Sequence, residues 1–354
     1  MDRVRIGLIG AGIMGSRGHF PGYMEIPDKV RFAAVCDKNP KAVQSIVEKS
    51  DARGYSDYQE LISDPSVDAV DICLPHNLHG PVALAALRAG KHVIVEKPFT
   101  ISLEQADEII AEAKKRRLTL MVAENMRFIK AYEVAKRLVD AGEIGEICYV
   151  RGYTGGPNSE TTDPSNWRIR AAESGGGTIM DDGIHCFYLF RWFAGEVKSV
   201  YAVTTKLGKS AVSEVEDNAV GTLRFASGAL GIFGFTTTTA SPWTEELQIF
   251  GTKGSIFVDF LASNPIRLFS ISGRSSNTTD WWSRYGDVSW ELPFVEHSTT
   301  EWVTNSMKRE VQHFVDCIQT GNQPLVTGED GKKAVELVLK AYESARTGKE
   351  VSLV

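Results

Sequence analysis

The first third of the chain alternates short apolar runs with helical patterns, and that alternation leaves few folds open. Val4–Ile9 is β-branched, mostly apolar and followed by glycine, the signature of a strand buried on both faces of a parallel sheet. Comparable runs recur at 31–36, 69–74, 92–95 and 119–123, with helical patterns between them at 81–89 and 103–116. Ser102 as N-cap, with Gln105 three residues later, predicts a capping box at the start of the second of these helices. Strands and helices in this rhythm form a doubly wound parallel sheet with right-handed crossovers.

Past residue 119 the rhythm changes. Segments 199–206, 218–225, 229–238, 245–250 and 255–260 are strand-like, with little helix between them and turn signals at Ser227-Gly228 and 251–254. They predict a large, mostly antiparallel open sheet, so an α/β domain is followed by an α+β domain. A chain of 354 residues is long enough for two cores. The expected division is 1–123 and 124–354. Helical patterns at 301–320 and 329–347 end at Gly321 and Gly348, and the last of these helices is free to pack back on the first domain.

Composition restricts the function. Hydrophobic residues make up 43% and charged residues 24%, as in a globular enzyme. A net charge of -6 gives no electrostatic reason to approach nucleic acid or an anionic bilayer. The five cysteines are odd in number and form no Cys-x-x-Cys pair, which argues against a disulfide framework and points to a reducing, cytoplasmic compartment. The start of the chain is too short and too glycine-rich for a signal peptide and lacks a cleavage site, and no apolar run approaches the roughly 20 residues needed to span a membrane. His76, His79 and His92 sit around strand ends without metal-ligand spacing, so no metal is expected.

Gly10-Ala11-Gly12-Ile13-Met14-Gly15 directly follows the first strand and opens a helical stretch. In that context G-x-G-x-x-G has a physical meaning. Gly10 makes the tight turn, Gly12 lets backbone N–H groups reach a pyrophosphate, and Gly15 lets helix and strand pack closely. The helix N-terminus adds partial positive charge. Asp37 ends the second strand, where a carboxylate accepts hydrogen bonds from ribose hydroxyls and repels a 2′-phosphate. NAD is therefore favoured over NADP, although Lys38 stands within reach of a phosphate. The N-terminal domain is predicted to be a Rossmann domain.

Further motifs carry a family resemblance. Leu74-Pro75-His76-Asn77-Leu78-His79, Gly90 to Pro98 with Glu96-Lys97-Pro98, Glu124 to Phe128, Trp167-Arg168, Gly175-Gly176-Gly177, Asp181 to His185, and Ser344 to Gly348 occur in one order across nearly the whole chain. In these the sequence resembles the Gfo/Idh/MocA family, which includes glucose–fructose oxidoreductase and inositol dehydrogenase. The resemblance implies hydride transfer between nicotinamide and a hydroxyl-bearing or carbonyl carbon of a sugar, cyclitol or glycoside.

The residues support that chemistry on their own terms. Pro98 holds Lys97 extended at the carboxyl end of a strand, the sheet edge at which such folds bind ligands. A lysine there can hydrogen-bond the reacting oxygen. Asp181 and His185 are four apart in the helical pattern 178–192, on one helix face, where a carboxylate can orient an imidazole that titrates near neutrality. Read without the resemblance, His185 is equally a buried structural histidine. The resemblance implies that Lys97 and His185 are catalytic, with His185 moving the proton and Asp181 orienting substrate or His185.

The cofactor set it implies comprises Gly10, Gly12, Ile13, Met14, Gly15, Asp37, Lys38, Leu74, Pro75, His76, His79, Glu96, Lys97 and Asn125. Arg127, Tyr153, Trp167, Arg168 and Asp182 fall near the substrate segments. The chain departs from the family pattern at His76, where many members have Asn, at Tyr188, where many have Asp, and at Asp182, where an apolar residue is usual. Those departures keep a second reading open, in which tightly held NAD oxidises a glycoside transiently before elimination, hydrolysis or hydride transfer to a second sugar. A regulator that binds without catalysis is a third reading, disfavoured by the joint presence of Lys97, Asp181 and His185.

Trp281, Trp282, Tyr285 and Trp290 cluster among polar residues and suit a sheet edge, a subunit interface or a pocket wall. Apolar residues on both alternating faces of 218–225 and 229–238 predict a homo-oligomer, a dimer or tetramer, formed through the C-terminal sheet.

Overall fold

The computed structural model describes residues 3–157, 163, 165–208, 213–259, 261–262, 265–270 and 299–353. The chain forms two compact units. The first comprises Met1–Phe128 with Arg170–Gly175 and Val303–Val335, and the second Ile129–Ile169, Gly176–Trp302 and Glu336–Val354. The first division falls after Phe128, and two later segments belong to the first unit. The aromatic cluster at Trp281, Trp282, Tyr285 and Trp290 lies outside the described residues.

The first unit is built on β1 (Val4–Ile9), β2 (Val30–Cys36), β3 (Arg53–Tyr55), β4 (Ala69–Ile72), β5 (His92–Glu96) and β6 (Leu120–Ala123). All pairings are parallel, in the order β3-β2-β1-β4-β5-β6. The order reverses between β1 and β4, which opens a crevice at the carboxyl ends of those strands. The inner strands are apolar because both of their faces are covered: Ile6, Leu8, Val70, Ile72, Val93 and Ile94 are wholly buried.

The helix Leu103–Arg116 matches its predicted bounds, and Ser102 Oγ accepts from Gln105 N at 3.4 Å. The capping box is only half made. Gln105 Oε1 has no hydrogen-bond partner, and the side chain lies against Gly80. The preceding helix, expected from 81, begins earlier, at His76, and carries Pro81 inside it. Proline marks a helix start in sequence, but here Pro75 supplies the extended N-cap (ψ 146°) and the first turn is already formed before Pro81.

The second unit carries β7 (Ile147–Gly155), β8 (Val197–Thr205), β9 (Asn218–Phe225), β10 (Leu230–Thr236), β11 (Thr244–Gly251), β12 (Gly254–Asp259), β13 (Ile266–Ser270) and β14 (Val351–Ser352). Their order is β13-β12-β11-β7-β10-β9-β8-β14. Every pairing is antiparallel except β7 with β10, so the sheet is mixed but mostly antiparallel.

One face is the core. Val150, Phe233, Phe235, Leu247, Ile249 and Ile256 are buried on it, and the helix Ile184–Ala194 packs there, with Phe187 edge-on to Phe233 (5.0 Å) and Phe235 (5.6 Å). Glycine at 152 is dictated by this contact, since a Cβ would overlap Cys186 Sγ and crowd the Phe190 ring. The opposite face exposes Tyr201 (40%), Val203 (49%), Val220 (59%), Leu230 (48%) and Ile232 (41%). Registers join these as neighbours, Val203 opposite Val220 and Thr222 opposite both Tyr201 and Ile232. Among the described residues, no helix is long and apolar enough to cross a membrane.

Candidate active site

The cofactor residues expected in the first unit gather at the carboxyl edge of its sheet. Gly10 follows β1 with φ +101°, donates its N–H to Cys36 O at 2.8 Å, and passes so close to β4 that a Cβ would overlap the Cys73 carbonyl. A Cβ on Gly15 would overlap the Gly10 carbonyl. Gly12 differs from both, because among the described residues, its chain neighbours aside, nothing lies within 4 Å of where its Cβ would be. The absence of a side chain there keeps open space above the loop. Ile13, 56% exposed, forms the N-cap of the following helical stretch without a side-chain cap. An open cradle in front of an uncapped helix start fits a pyrophosphate.

Asp37 closes β2 and braces the loop. Its Oδ2 accepts from Ala11 N and its Oδ1 from Asn39 N, both at 2.7 Å. Each carboxylate oxygen has a second lone pair, so the group can still accept from a ribose. Lys38 is exposed beside it.

Leu74 and Pro75 follow β4, Glu96 and Lys97 stand at the end of β5, and Asn125 and Arg127 lie in the short turn of helix Asn125–Phe128 after β6. Lys97, Asn125 and Arg127 are half-buried. His76 and His79 are turned into the protein. His76 Nδ1 is 2.8 Å from Ser174 O, while His79 meets Pro98 O at 2.7 Å and Leu74 O at 2.8 Å. Burial, with His76 beside it, pushes His79 down to about 4. Neutral at that value, His79 carries one N–H and hydrogen-bonds one of these two carbonyls, at the β4 end or the β5 end, while its other nitrogen lies against the second.

A buried polar cluster in this unit had no sequence signal. His19, Tyr23, Asp71 and Glu310 are all buried, with Glu96 joining them from β5. Glu96 was expected at the cofactor edge, but its cluster partners His19 and Tyr23, Asp71 and Glu310 come from distant segments and belong to no spacing pattern that marks a site.

In the second unit Asp181 and His185 lie on a helix that starts as a π-helical turn, Ile179–Gly183, and continues as the α-helix Ile184–Ala194. The sequence pattern predicted uniform α-helix. A π turn has no hydrophobic periodicity of its own to be read, and such turns concentrate at functional sites. Glu216 caps this start. Its Oε2 accepts from Gly177 N and its Oε1 from Ile179 N, each at 3.0 Å, and Tyr342 donates to Oε1 at 2.8 Å. Sequence reading missed Glu216, because its partners are backbone N–H groups distant in the chain.

Asp181 is held by Arg168, whose Nε donates to Oδ2 at 2.8 Å and whose guanidinium lies 4.5 Å above the Trp167 ring. The structure thus joins three of the expected residues, Trp167, Arg168 and Asp181. Asp182, half-buried, receives the Thr178 hydroxyl at 3.4 Å. Tyr188 is 6% exposed and tilts against Trp192, as a core residue does. Tyr153 stands apart from this group. It shares the open face of the sheet, in register with Gly234 and Glu246, whereas the helix bearing His185 packs on the other face beside Gly152.

Comparison with known proteins identifies the family. Residues 4–124 match the family described as oxidoreductase family, NAD-binding Rossmann fold, and residues 132–257 match the GFO/IDH/MocA C-terminal domain. A myo-inositol 2-dehydrogenase of Thermotoga maritima is 32% identical, over 99% of this chain and 98% of its own. A scyllo-inositol 2-dehydrogenase (NAD(+)) of Bacillus subtilis is 29% identical, over 99% of this chain and 96% of its own. Levoglucosan dehydrogenase in complex with NADH superposes with a TM-score of 0.89 at 25% identity, with both chains covered completely. The chain belongs to the Gfo/Idh/MocA family and is an NAD-binding oxidoreductase acting on CH–OH groups.

Proposed function

We propose that this enzyme transfers a hydride between NAD and a secondary hydroxyl or carbonyl carbon of a sugar, cyclitol or glycoside. The observation that carries the proposal is the convergence of Gly12, Asp37, Lys97 and Asn125 on one edge of the parallel sheet, at the carboxyl ends of β1, β2, β5 and β6. Relatives named for inositols, levoglucosan and xylose support this substrate class.

The residues present fit NAD, which when bound supplies the hydride acceptor or donor. The Gly10–Gly15 loop and the helix start hold its pyrophosphate, and Asp37 its adenosine ribose. In oxidation, Lys97 donates a hydrogen bond to the substrate oxygen from Nζ, and His185 takes the hydroxyl proton. Arg168 fixes the Asp181 carboxylate in direction, so that it can orient His185 or a substrate hydroxyl. In reduction the same groups return the proton. Trp167 offers an aromatic face to a sugar ring, on the side of the indole not taken by Arg168.

The open face of the second sheet, with Tyr201, Val203, Val220, Leu230 and Ile232 exposed, supports association of copies of this chain through that face.

The direct test is a panel of myo-inositol, scyllo-inositol, levoglucosan and D-xylose, each with excess NAD, followed by absorbance at about 340 nm and by product mass. NADH accumulation with an oxidised product is expected for at least one compound. Product formation without accumulation would instead support transient oxidation inside a longer reaction. Tight NAD binding without product from any sugar, cyclitol or glycoside would overturn catalysis altogether.

A further inference from the structure

His19 sits at the centre of the buried cluster in the first unit, wholly inaccessible to solvent. Its Nδ1 is 2.7 Å from Asp71 Oδ2 and its Nε2 is 3.1 Å from Glu96 Oε1. An ionised carboxylate only accepts, so with one at each nitrogen both nitrogens donate, and the raised His19 pKa agrees with that arrangement. His19 is therefore an imidazolium. The same geometry sets aside metal ligation by His19 with Asp71 and Cys73, three ligand-type groups within 4.8 Å of one another, because a metal needs the lone pair that a donating nitrogen lacks.

Each remaining face of the cluster is identified. Tyr23 donates to Asp71 Oδ2 at 2.9 Å, and Cys73 Sγ lies 3.4 Å from Asp71 Oδ1. Glu310 Oε2 is 4.0 Å from His19 Nε2, and neither Glu310 oxygen has a hydrogen-bond partner among the described residues. Burial holds the Glu310 carboxyl well above the usual range, consistent with a neutral acid. Burial alone would lower His19, but Asp71 and Cys73 together, by charge and hydrogen bonding, outweigh it and the pKa is raised. Burial would raise Glu96, but the hydrogen bond and charge of His19 hold its carboxyl below the usual range, and Glu96 is where the cluster meets the sheet edge.

Glu96 has a second commitment. Its Oε2 accepts the backbone N–H of Lys97 at 3.0 Å, so one carboxylate is shared between His19 and the residue that bears the proposed catalytic amine. The geometry points to His19 as a positioning residue for Lys97: it clamps Glu96 at the end of β5 and partly cancels the carboxylate charge that Lys97 faces. His19 ends the helical turn that follows the glycine loop. The clamp thus makes the cofactor loop, β4 and β5 one rigid set of parts. This inference rests on the catalytic reading of Lys97 for its consequence in turnover, but not for its test.

The test is the ionisation of Lys97 in the full-length protein, measured by competitive labelling with acetic anhydride across pH and quantified on the Lys97 peptide by mass spectrometry. His19→Gln unmasks the Glu96 charge and is expected to raise the labelling midpoint by about one pH unit. Glu96→Gln, whose amide oxygen can still accept from Lys97 N–H, is expected to lower it. The double variant is expected to fall near the wild type. Opposite shifts from two neighbouring substitutions are not produced by general damage to the fold.

An unchanged midpoint in folded His19→Gln, or shifts of the same sign in both single variants, would overturn the proposal. If His19→Gln does not fold, the double variant is compared with Glu96→Gln alone, and equal midpoints overturn it. Turnover in Lys97→Ala, by contrast, bears only on the catalytic reading.

Discussion

Tyr342 donates its hydroxyl to Glu216 at 2.8 Å, and between them these two residues occupy the space that side chains at 176 and 177 would need. A Cβ on Gly176 would overlap the Tyr342 hydroxyl, and one on Gly177 would overlap the Glu216 carbonyl. The glycine run ahead of Asp181 is thus a consequence of how the helix start is capped.

Glu216→Gln replaces one acceptor by an amide N–H facing a backbone N–H. It should cost about 1–3 kcal/mol of stability and lower turnover more than NAD affinity. Burial raises the Glu216 carboxyl despite its hydrogen bonds, so the unfolded chain ionises first as pH rises past 4.5. This group's contribution to stability is complete below that pH and is lost as pH rises through the raised folded value. Thermal melts across pH should show that slope in the wild type and lose it in Glu216→Gln.

The three loop glycines should separate folding from cofactor binding. Gly12→Ala adds a methyl to open space and is expected to melt like the wild type while binding NAD at least tenfold more weakly, since the methyl fills the proposed pyrophosphate cradle. Gly10→Ala and Gly15→Ala meet backbone carbonyls and should lower the melting temperature instead. Calorimetric melts with NAD titrations check both. Unimpaired NAD binding in Gly12→Ala would move the cofactor elsewhere.

Arg168→Ala removes the cation that holds Asp181 and uncovers Trp167. A fall in kcat/KM of about tenfold to a hundredfold is expected, with little change in NAD affinity, because the pair acts on orientation at the substrate. Arg168→Lys should recover only part of it, since lysine lacks the planar fork. Steady-state kinetics with a substrate from the panel gives both values.

Val220→Arg places a charge in the middle of the exposed apolar face, opposite Val203. Light scattering should report a multiple of the chain mass for the wild type and a smaller species for the variant. A wild-type mass of one chain would remove the proposed interface.

Much of this was legible in sequence because it depends on local pattern. Val4–Ile9 and 218–225 were readable since burial on two faces or on one leaves its mark residue by residue, and Gly10–Gly15 because backbone geometry there admits little else. What escaped depends on contacts distant in the chain. β7 is the sheet's central partner for β10 and β11, yet residues 147–155 mix Arg151, glycines and tyrosines and show no strand signal stronger than their surroundings. His19 and Glu216 are defined by partners that only folding brings near. Gln105 looked like half of a capping box and instead lies against Gly80, because helix packing competed for the same side chain.

The central claim is that Lys97 and His185 perform the proton chemistry of a hydride transfer. Single-turnover absorbance at about 340 nm, with NAD and an active substrate from the panel, tests it in Lys97→Ala and His185→Ala. Both variants are expected to bind NAD as the wild type does and to lose at least a hundredfold in the rate of NADH formation. Rates near that of the wild type in both would contradict the account.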